Sequence, residues 1–420
     1  MRKLIQFFKE NKPLLIFGFL LTFFSGFGQT FLLALYVPEM AEDFGITHGS
    51  FGSVYAIATV ASAMSLAKAG SFIDQINLRT FTYIVIGGLV LSLLLLSQAT
   101  HIALLVLGIW GLRLSGQGLM GHTAVTTMAR YFDKVRGKAI SLSTLGHPAS
   151  EAILPIIIAF SIYQFGWRSS LLMTALLILA VVPLASHWLL NQRKDVLIPQ
   201  KAVNDQDSKI KKSEHSQRKI LKSSTFWLLA PSIFIIAFLN TAIFFYQIPL
   251  GTSKGWEPEW IAGSIGAFAL ASASMMLVAG PLVDRFSAKK LFPFFMLPYL
   301  LGLTVLLSFD SHWIYPISLL LMGSSNGLGS TIKNAVQAEM FDVRFLGSVR
   351  SLFSALMVLS TAMGPALFGA LLDFGINFQQ ALMFCIIFLI ATIFYSLRIL
   401  SKGSVRKAYG RVKNKVNARA

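Results

Sequence analysis

Apolar runs of about 20 residues or more, broken by short polar stretches, recur from one end of the chain to the other. A helix rising 1.5 Å per residue needs about 20 mostly apolar residues to cross a hydrocarbon core, so each run has the length of one crossing. The pattern predicts twelve spans: 13–38, 49–73, 79–99, 102–129, 138–163 and 168–191 in the first half, then 225–250, 258–283, 289–308, 313–340, 349–373 and 378–399 in the second. The breaks are too short for separate soluble domains, and a bilayer admits only backbone that is bonded internally. The expected fold class is an all-α integral membrane protein with twelve transmembrane helices in two six-helix halves. The first run follows Arg2, Lys3, Lys9 and Lys12 as a secretion signal would, but it is about 25 residues long, lacks a small-residue cleavage site and is followed by eleven more runs. It reads as a retained helix.

Composition supports the same class. Of 420 residues, 55% are hydrophobic and 13% charged, against about 25% charged in soluble domains. The formal charge of +18 would by itself suit nucleic acid or an anionic surface. Its placement decides otherwise: nearly all Lys and Arg fall in breaks on the side of the N terminus. The opposite side has Arg168 and Lys254 among Glu39, Glu42, Asp43, Glu257, Glu259, Asp310 and Asp373. The positive-inside rule puts both termini and the central loop in the cytoplasm, in a plasma (inner) membrane, with the lipid bilayer as partner and no nucleic acid. The expected organisation is 1–191 as an N-terminal half, 192–224 as a basic linker, 225–400 as a C-terminal half and 401–420 as a basic tail. A single cysteine, Cys385, excludes an internal disulfide framework. No G-x-x-x-x-G-K-[ST] motif, metal-ligand cluster or nucleophile with a base is present, so neither a cofactor, a metal nor enzyme activity is expected.

The second half echoes the first. Gly70-Ser71-Phe72-Ile73-Asp74-Gln75 closes span two and Gly280-Pro281-Leu282-Val283-Asp284-Arg285 closes span eight; Phe132-Asp133 with Gly137 and Ser141-Leu142 returns as Phe341-Asp342 with Gly347 and Ser351-Leu352. Parallel six-helix repeats are a transporter architecture. With these residues the chain resembles the major facilitator superfamily over nearly its whole length. The signature G-x-x-x-D-[RK]-x-G-[RK]-[RK] is fitted by Gly280, Asp284, Arg285, Lys289 and Lys290; the first copy keeps Gly70, Asp74 and Arg79 but has Gln75 and Asn77 where the family has a basic residue and glycine. The resemblance implies a cytoplasmic gate at each copy, and the chemistry is intelligible: a helix-end carboxylate facing a helix N-terminus or an Arg holds elements together. A plain helix cap is the alternative. Ala129 to Ala139 is similar to the loop of prokaryotic monocarboxylate and organic-anion porters. Arg113-Leu114-Ser115-Gly116-Gln117-Gly118 is similar to the family's R-x-x-Q-G element but one residue longer. Ser150-Glu151 stands where drug/proton antiporters carry Gly-Pro.

Ionisable groups at membrane depth are costly and usually face a cavity or a partner. Arg113 lies about 16 Å into span four at 1.5 Å per residue, with Gln117 one helical turn on. Glu151 reaches similar depth in span five, one turn after His147. The functional reading is an anion clamp at Arg113 and a proton carrier at Glu151 and His147; the alternative is a static Arg113–Glu151 ion pair. Gln29 in span one, Asn240 and Tyr246 in span seven, and Asn326 and Lys333 in span ten complete the candidate substrate-binding set, because the resemblance implies that spans one, four, seven and ten line the cavity. Isolated amides also bond simply between helices. The expected function is secondary active transport by alternating access, a small organic anion moving with a proton and the protein acting as a monomer on a small-molecule substrate. Efflux of a drug or siderophore-like compound, or a non-transporting receptor on the same fold, are the alternatives.

Overall fold

Span one does not run as a single helix. In the computed structural model, which describes residues 2–132, 136–193, 219–341 and 346–401, the helix Arg2–Phe24 gives way to a 3-10 turn at Ser25–Gly28, an extended residue Gln29 (φ −85°, ψ 155°) and two short helices, Thr30–Leu33 and Val37–Asp43. Spans four, five, seven and nine are interrupted as well, whereas spans two, three, eight, ten, eleven and twelve are each a single helix. Span two is His48–Ser71, its N-terminus capped by Thr47, whose side chain accepts from Ser50 N. Span three is Leu78–Ser97, capped by Asn77, and span twelve, Phe378–Ser396, opens with a reciprocal capping box of Asn377 and Gln380. Spans five and six form one helical stretch, Gly146–Asn191, folded at Gly166, whose φ of 73° and ψ of 163° suit a residue without Cβ. Every regular element among the described residues is helical.

The linker 194–218 and the tail 402–420 lie outside the described residues, as do Asp133 and Asp342 of the echoed loops. The large apolar side chains Leu184, Trp188 and Phe394 stand exposed on Gly146–Asn191 and Phe378–Ser396. Such faces are solvated by lipid, and the chain is a multi-pass membrane protein.

The chain packs as two units. One lies within Met1–Val203, Thr241–Gly266 and Pro365–Gly375. In it the C-terminal end of span seven packs on residues of spans one, two and eleven: Phe245 packs on Phe51 and Tyr55, Gln247 Nε2 donates to Phe31 O (3.3 Å), and Tyr246 stacks on Phe368. The start of span six is held to the end of span one, since Trp167 N donates to Glu39 (3.2 Å) and Trp167 Nε1 to Asp43 (2.8 Å), while Arg168 pairs with Asp43 and donates to Ala99 O.

The other unit lies within Asn204–Asn240, Ala267–Gly364 and Ile376–Ala420. Its core includes a stacked Phe226–Phe353 pair, and Ser325 Oγ donates to Phe295 O (2.7 Å). Ser325 and Ser360 spend their protons on backbone carbonyls here, which removes the penalty of carrying them into apolar surroundings.

Candidate functional site

A break in a helix at membrane depth leaves carbonyl oxygens without their usual partners. In span one the freed oxygen of Gly28 is taken by Arg113, whose Nη1 donates to Gly28 O at 3.2 Å and to Thr30 Oγ1 at 3.3 Å. The guanidinium lies 5.0 Å from the centroid of the Tyr55 ring, and the Tyr55 hydroxyl bonds Thr30 Oγ1 at 2.6 Å. Arg113 is 2% exposed, and its Nε is buried with no hydrogen-bond partner.

Two glycines let the broken segment come this close. A Cβ on Gly116 would sit 2.8 Å from Gly28 Cα, and one on Gly28 would overlap Gln117 N and Leu112 O. On the facing side, span four is itself irregular: between Ile102–Leu112 and Gly121–Tyr131, residues Arg113–Met120 form a π-helical stretch. Its i→i+5 bonding widens the turn, so the α-helical i, i+4 relation expected of Arg113 and Gln117 does not apply there. Gln29 and Gln117 are half-buried beside this junction.

The carboxylate expected as the alternative partner of Arg113 is elsewhere engaged with nothing: among the described residues no Arg113–Glu151 ion pair forms, and Glu151 has no hydrogen bond. It is half-buried on the same helical stretch as Ser150, whose Oγ a Cβ on Gly26 would strike. His147 approaches Ser25, with Nδ1 3.2 Å from Ser25 Oγ. Ser25 donates its own proton to Thr22 O (2.7 Å), which leaves Nδ1 to donate and Nε2 to accept in the neutral ring. His147 and Ser150 thus stand against span one near the break, with Glu151 next to Ser150 in the chain.

The amides predicted in spans seven and ten meet in the second unit. Asn240 Nδ2 donates to Asn326 Oδ1 (3.3 Å), and Asn326 Nδ2 to Ser272 Oγ (3.0 Å). Lys333 is half-buried on the side of span ten that carries Gly329 against Phe295. Tyr246 is placed differently, in the outer cluster of the first unit, fully buried, with its hydroxyl between His48 O and Pro365 O.

Of the gate residues, Gly70 faces the His122 ring and Arg79 Nη2 donates to Asn191 Oδ1. The side chain of Asp74 lies outside the described residues. Gly280 is half-buried; Asp284 and Arg285 are exposed, and the Arg285 guanidinium lies 5.2 Å from the Phe286 ring centroid. The carboxylate at this end that holds backbone is Glu339, which accepts from Ala288 N and Lys289 N at 3.0 Å each. Sequence reasoning missed Glu339, Ser25, Thr30 and Tyr55. Nothing in the local pattern distinguishes Ser25, Thr30 and Tyr55, whose roles arise from where span one breaks, and the partners of Glu339 lie about fifty residues away in the chain. Among the described residues no cluster of His, Cys, Asp or Glu is suited to a metal ion.

The profile of the Major Facilitator Superfamily matches residues 18–276 and again 260–415. Among curated proteins, the chain is 31% identical to monocarboxylate transporter 11 of Mus musculus over 36% of this chain and 34% of that protein. It is 26% identical to a gallate transporter of Pseudomonas putida over 46% of this chain and 44% of that one. To human monocarboxylate transporter 11 it is 24% identical, over 81% and 73%. The chain thus spans about a third and under half of the first two relatives it matches. Among solved structures, the nucleoside transporter NupG superimposes with a TM-score of 0.71 at 13% identity, covering 94% of this chain and 99% of that one. A bacterial homolog of the human lysosomal transporter Spinster gives 0.70 at 13%, covering 93% and 96%. These two likenesses concern the fold.

Proposed function

Because the chain belongs to the Major Facilitator Superfamily, we propose that it is a secondary transporter working by alternating access, carrying a small organic anion together with a proton. The observation that carries this reading is the orphan Nε of the buried Arg113. A buried donor left unsatisfied is costly, more so on a charged group, and a carboxylate is the acceptor whose planar fork matches a guanidinium. Gly28 O and Thr30 hold one arm of the guanidinium and Tyr55 its face, so the group is positioned before the anion arrives. The names of the relatives, monocarboxylate and gallate transporters, agree with an anionic cargo.

Glu151 is the proton carrier in this reading, with His147 beside it. A carboxyl group without an ionic partner can take up a proton on one side and give it back when water reaches it from the other. Charge placement supports cytoplasmic termini and an inner-membrane location. The protein acts as a monomer, and Gln29 and Gln117, beside the Arg113 junction, contribute polar contacts to the cargo.

Uptake of a labelled monocarboxylate or hydroxybenzoate into proteoliposomes, with and without an inward proton gradient, tests the proposal. Accumulation that follows the gradient is expected. Glu151→Gln should abolish accumulation while leaving exchange of labelled for unlabelled anion across the membrane. Uptake indifferent to the gradient would remove the proton, and wild-type uptake in Arg113→Ala would remove the clamp.

A further inference from the structure

We infer that the second unit holds an anion-binding site of its own, centred on Arg350, for a carboxylate that also carries a hydroxyl group. A cavity of about 490 Å³ opens there, lined by Ser330, Thr331 and Asn334 of span ten, Arg350 of span eleven and the apolar side chains Met276 and Ala335. That volume falls within the roughly 300–1,000 Å³ of small-molecule sites. All these residues belong to Ala267–Gly364, so the site is complete within one unit. It shares no residue with the Arg113 junction and does not rest on the transport reading.

The lining follows from helical spacing. Ser330, Thr331, Asn334 and Ala335 recur on one face of Ile314–Met340, whereas Lys333, though adjacent in sequence, projects toward the Gly329 side. The polar groups on that face are already oriented. Asn334 Nδ2 donates to Ser330 O at 2.8 Å, which fixes the amide and leaves its Oδ1 and second amide proton for a ligand. Ser330 gives its hydroxyl proton to Gly327 O at 2.7 Å, so toward the cavity its oxygen can only accept. A bare carboxylate has no proton to offer those acceptors; a hydroxyl does.

Arg350 supplies the charge. Among the described residues it has neither a hydrogen bond nor an ion pair, and Glu339, the acidic side chain further along span ten, is engaged by Ala288 N and Lys289 N. The planar fork of Arg350, exposed at the rim of a cavity that offers apolar side chains and acceptor oxygens, suits an anion with an apolar body and a hydroxyl. An anionic lipid headgroup offers the same combination of charge and hydroxyl, so the experiment separates the two sources.

The test is calorimetric titration of 4-hydroxybenzoate, and of benzoate as the comparison, into purified full-length protein in nanodiscs of phosphatidylcholine alone. Binding with 4-hydroxybenzoate at least tenfold tighter than benzoate is expected at a site lost in Arg350→Gln, weakened in Asn334→Ala and retained in Arg113→Ala. Thermal unfolding of each variant reports whether it folds, and Arg350→Lys should restore part of the affinity through charge alone. Unchanged binding in folded Arg350→Gln would overturn the inference while leaving the Arg113 proposal standing. Loss of hydroxybenzoate binding when phosphatidylglycerol is added, with no recovery at higher ligand concentration, would overturn the assignment to a free hydroxy acid.

Discussion

The Tyr246 hydroxyl lies 2.8 Å from the carbonyl oxygen of His48. It also reaches Pro365 O at 2.9 Å, and beside it Asp373 Oδ2 accepts from Thr47 Oγ1 (2.7 Å) and Gly49 N (3.0 Å). The first turn of span two is therefore fastened by residues from spans seven and eleven. Tyr246→Phe keeps the ring against Phe368 and Phe245 and removes the hydroxyl, whose one proton the two helical carbonyls share. A loss of about 0.5–1.5 kcal/mol is expected. Thermal unfolding in detergent checks it, and an unchanged Tm would show that the hydroxyl holds nothing.

Asp373→Ala should act on the same turn by a different route. It removes a carboxylate from a helix N-terminus, where such groups contribute about 0.5–2 kcal/mol. Because both variants loosen one joint, their combined effect should fall short of the sum of the two, and a double-mutant cycle measures the coupling.

Gly28→Ala has no room. Its Cβ would meet Gln117 N and Leu112 O, which are backbone and cannot swing aside. The broken segment would have to withdraw from span four, taking Gly28 O away from Arg113. Transport and carboxylate affinity should both fall by more than tenfold, while Gly121→Ala, with open space around it, should change neither.

Arg113→Met separates function from stability. Removing a buried charge without an anionic partner should leave the unfolding temperature equal or higher, whereas transport is lost. A variant that loses both would mean that Arg113 holds the helices together.

Acid should loosen the outer clasp between spans one and six. The hydrogen bond from Trp167 and the pairing with Arg168 hold the Asp43 carboxyl below its ordinary value. Its contribution is therefore present above the unfolded value of about 3.9 and is lost as pH falls through the folded value. Glu39 runs the other way: burial raises it, more than the bond from Trp167 N lowers it, so its contribution fades as pH rises. The difference in Tm between wild type and Asp43→Asn should close as pH drops below about 4. A difference constant from pH 6 to pH 3 would refute this role for Asp43.

The succession of spans was legible because each is a long apolar run bounded by polar residues, and that pattern survives local irregularity. Arg113 and Glu151 were legible because ionisable groups are rare in such runs. Thr30 and Tyr55 were not: a threonine and a tyrosine in an apolar helix look like packing residues until the helix breaks next to them. Gly26 and Gly28 mark the break only in hindsight, since glycine is common in membrane helices. Tyr246 is a substrate-contact candidate through the resemblance alone; the structure packs the C-terminal end of span seven within the first unit, and no periodicity in the sequence announces that.

The π-helical stretch at Arg113–Met120 bears on the spare residue noticed in Arg113-Leu114-Ser115-Gly116-Gln117-Gly118. One residue added to an α-helix turns everything after it by about 100°. A widened turn absorbs the addition locally, so Gly121–Tyr131 keeps its face toward its neighbours. The stretch is, in effect, an expansion joint. Deleting Ser115 should let the helix close into regular form with Gly121–Tyr131 undisturbed, and should draw the guanidinium out of the register in which Gly28 now receives it.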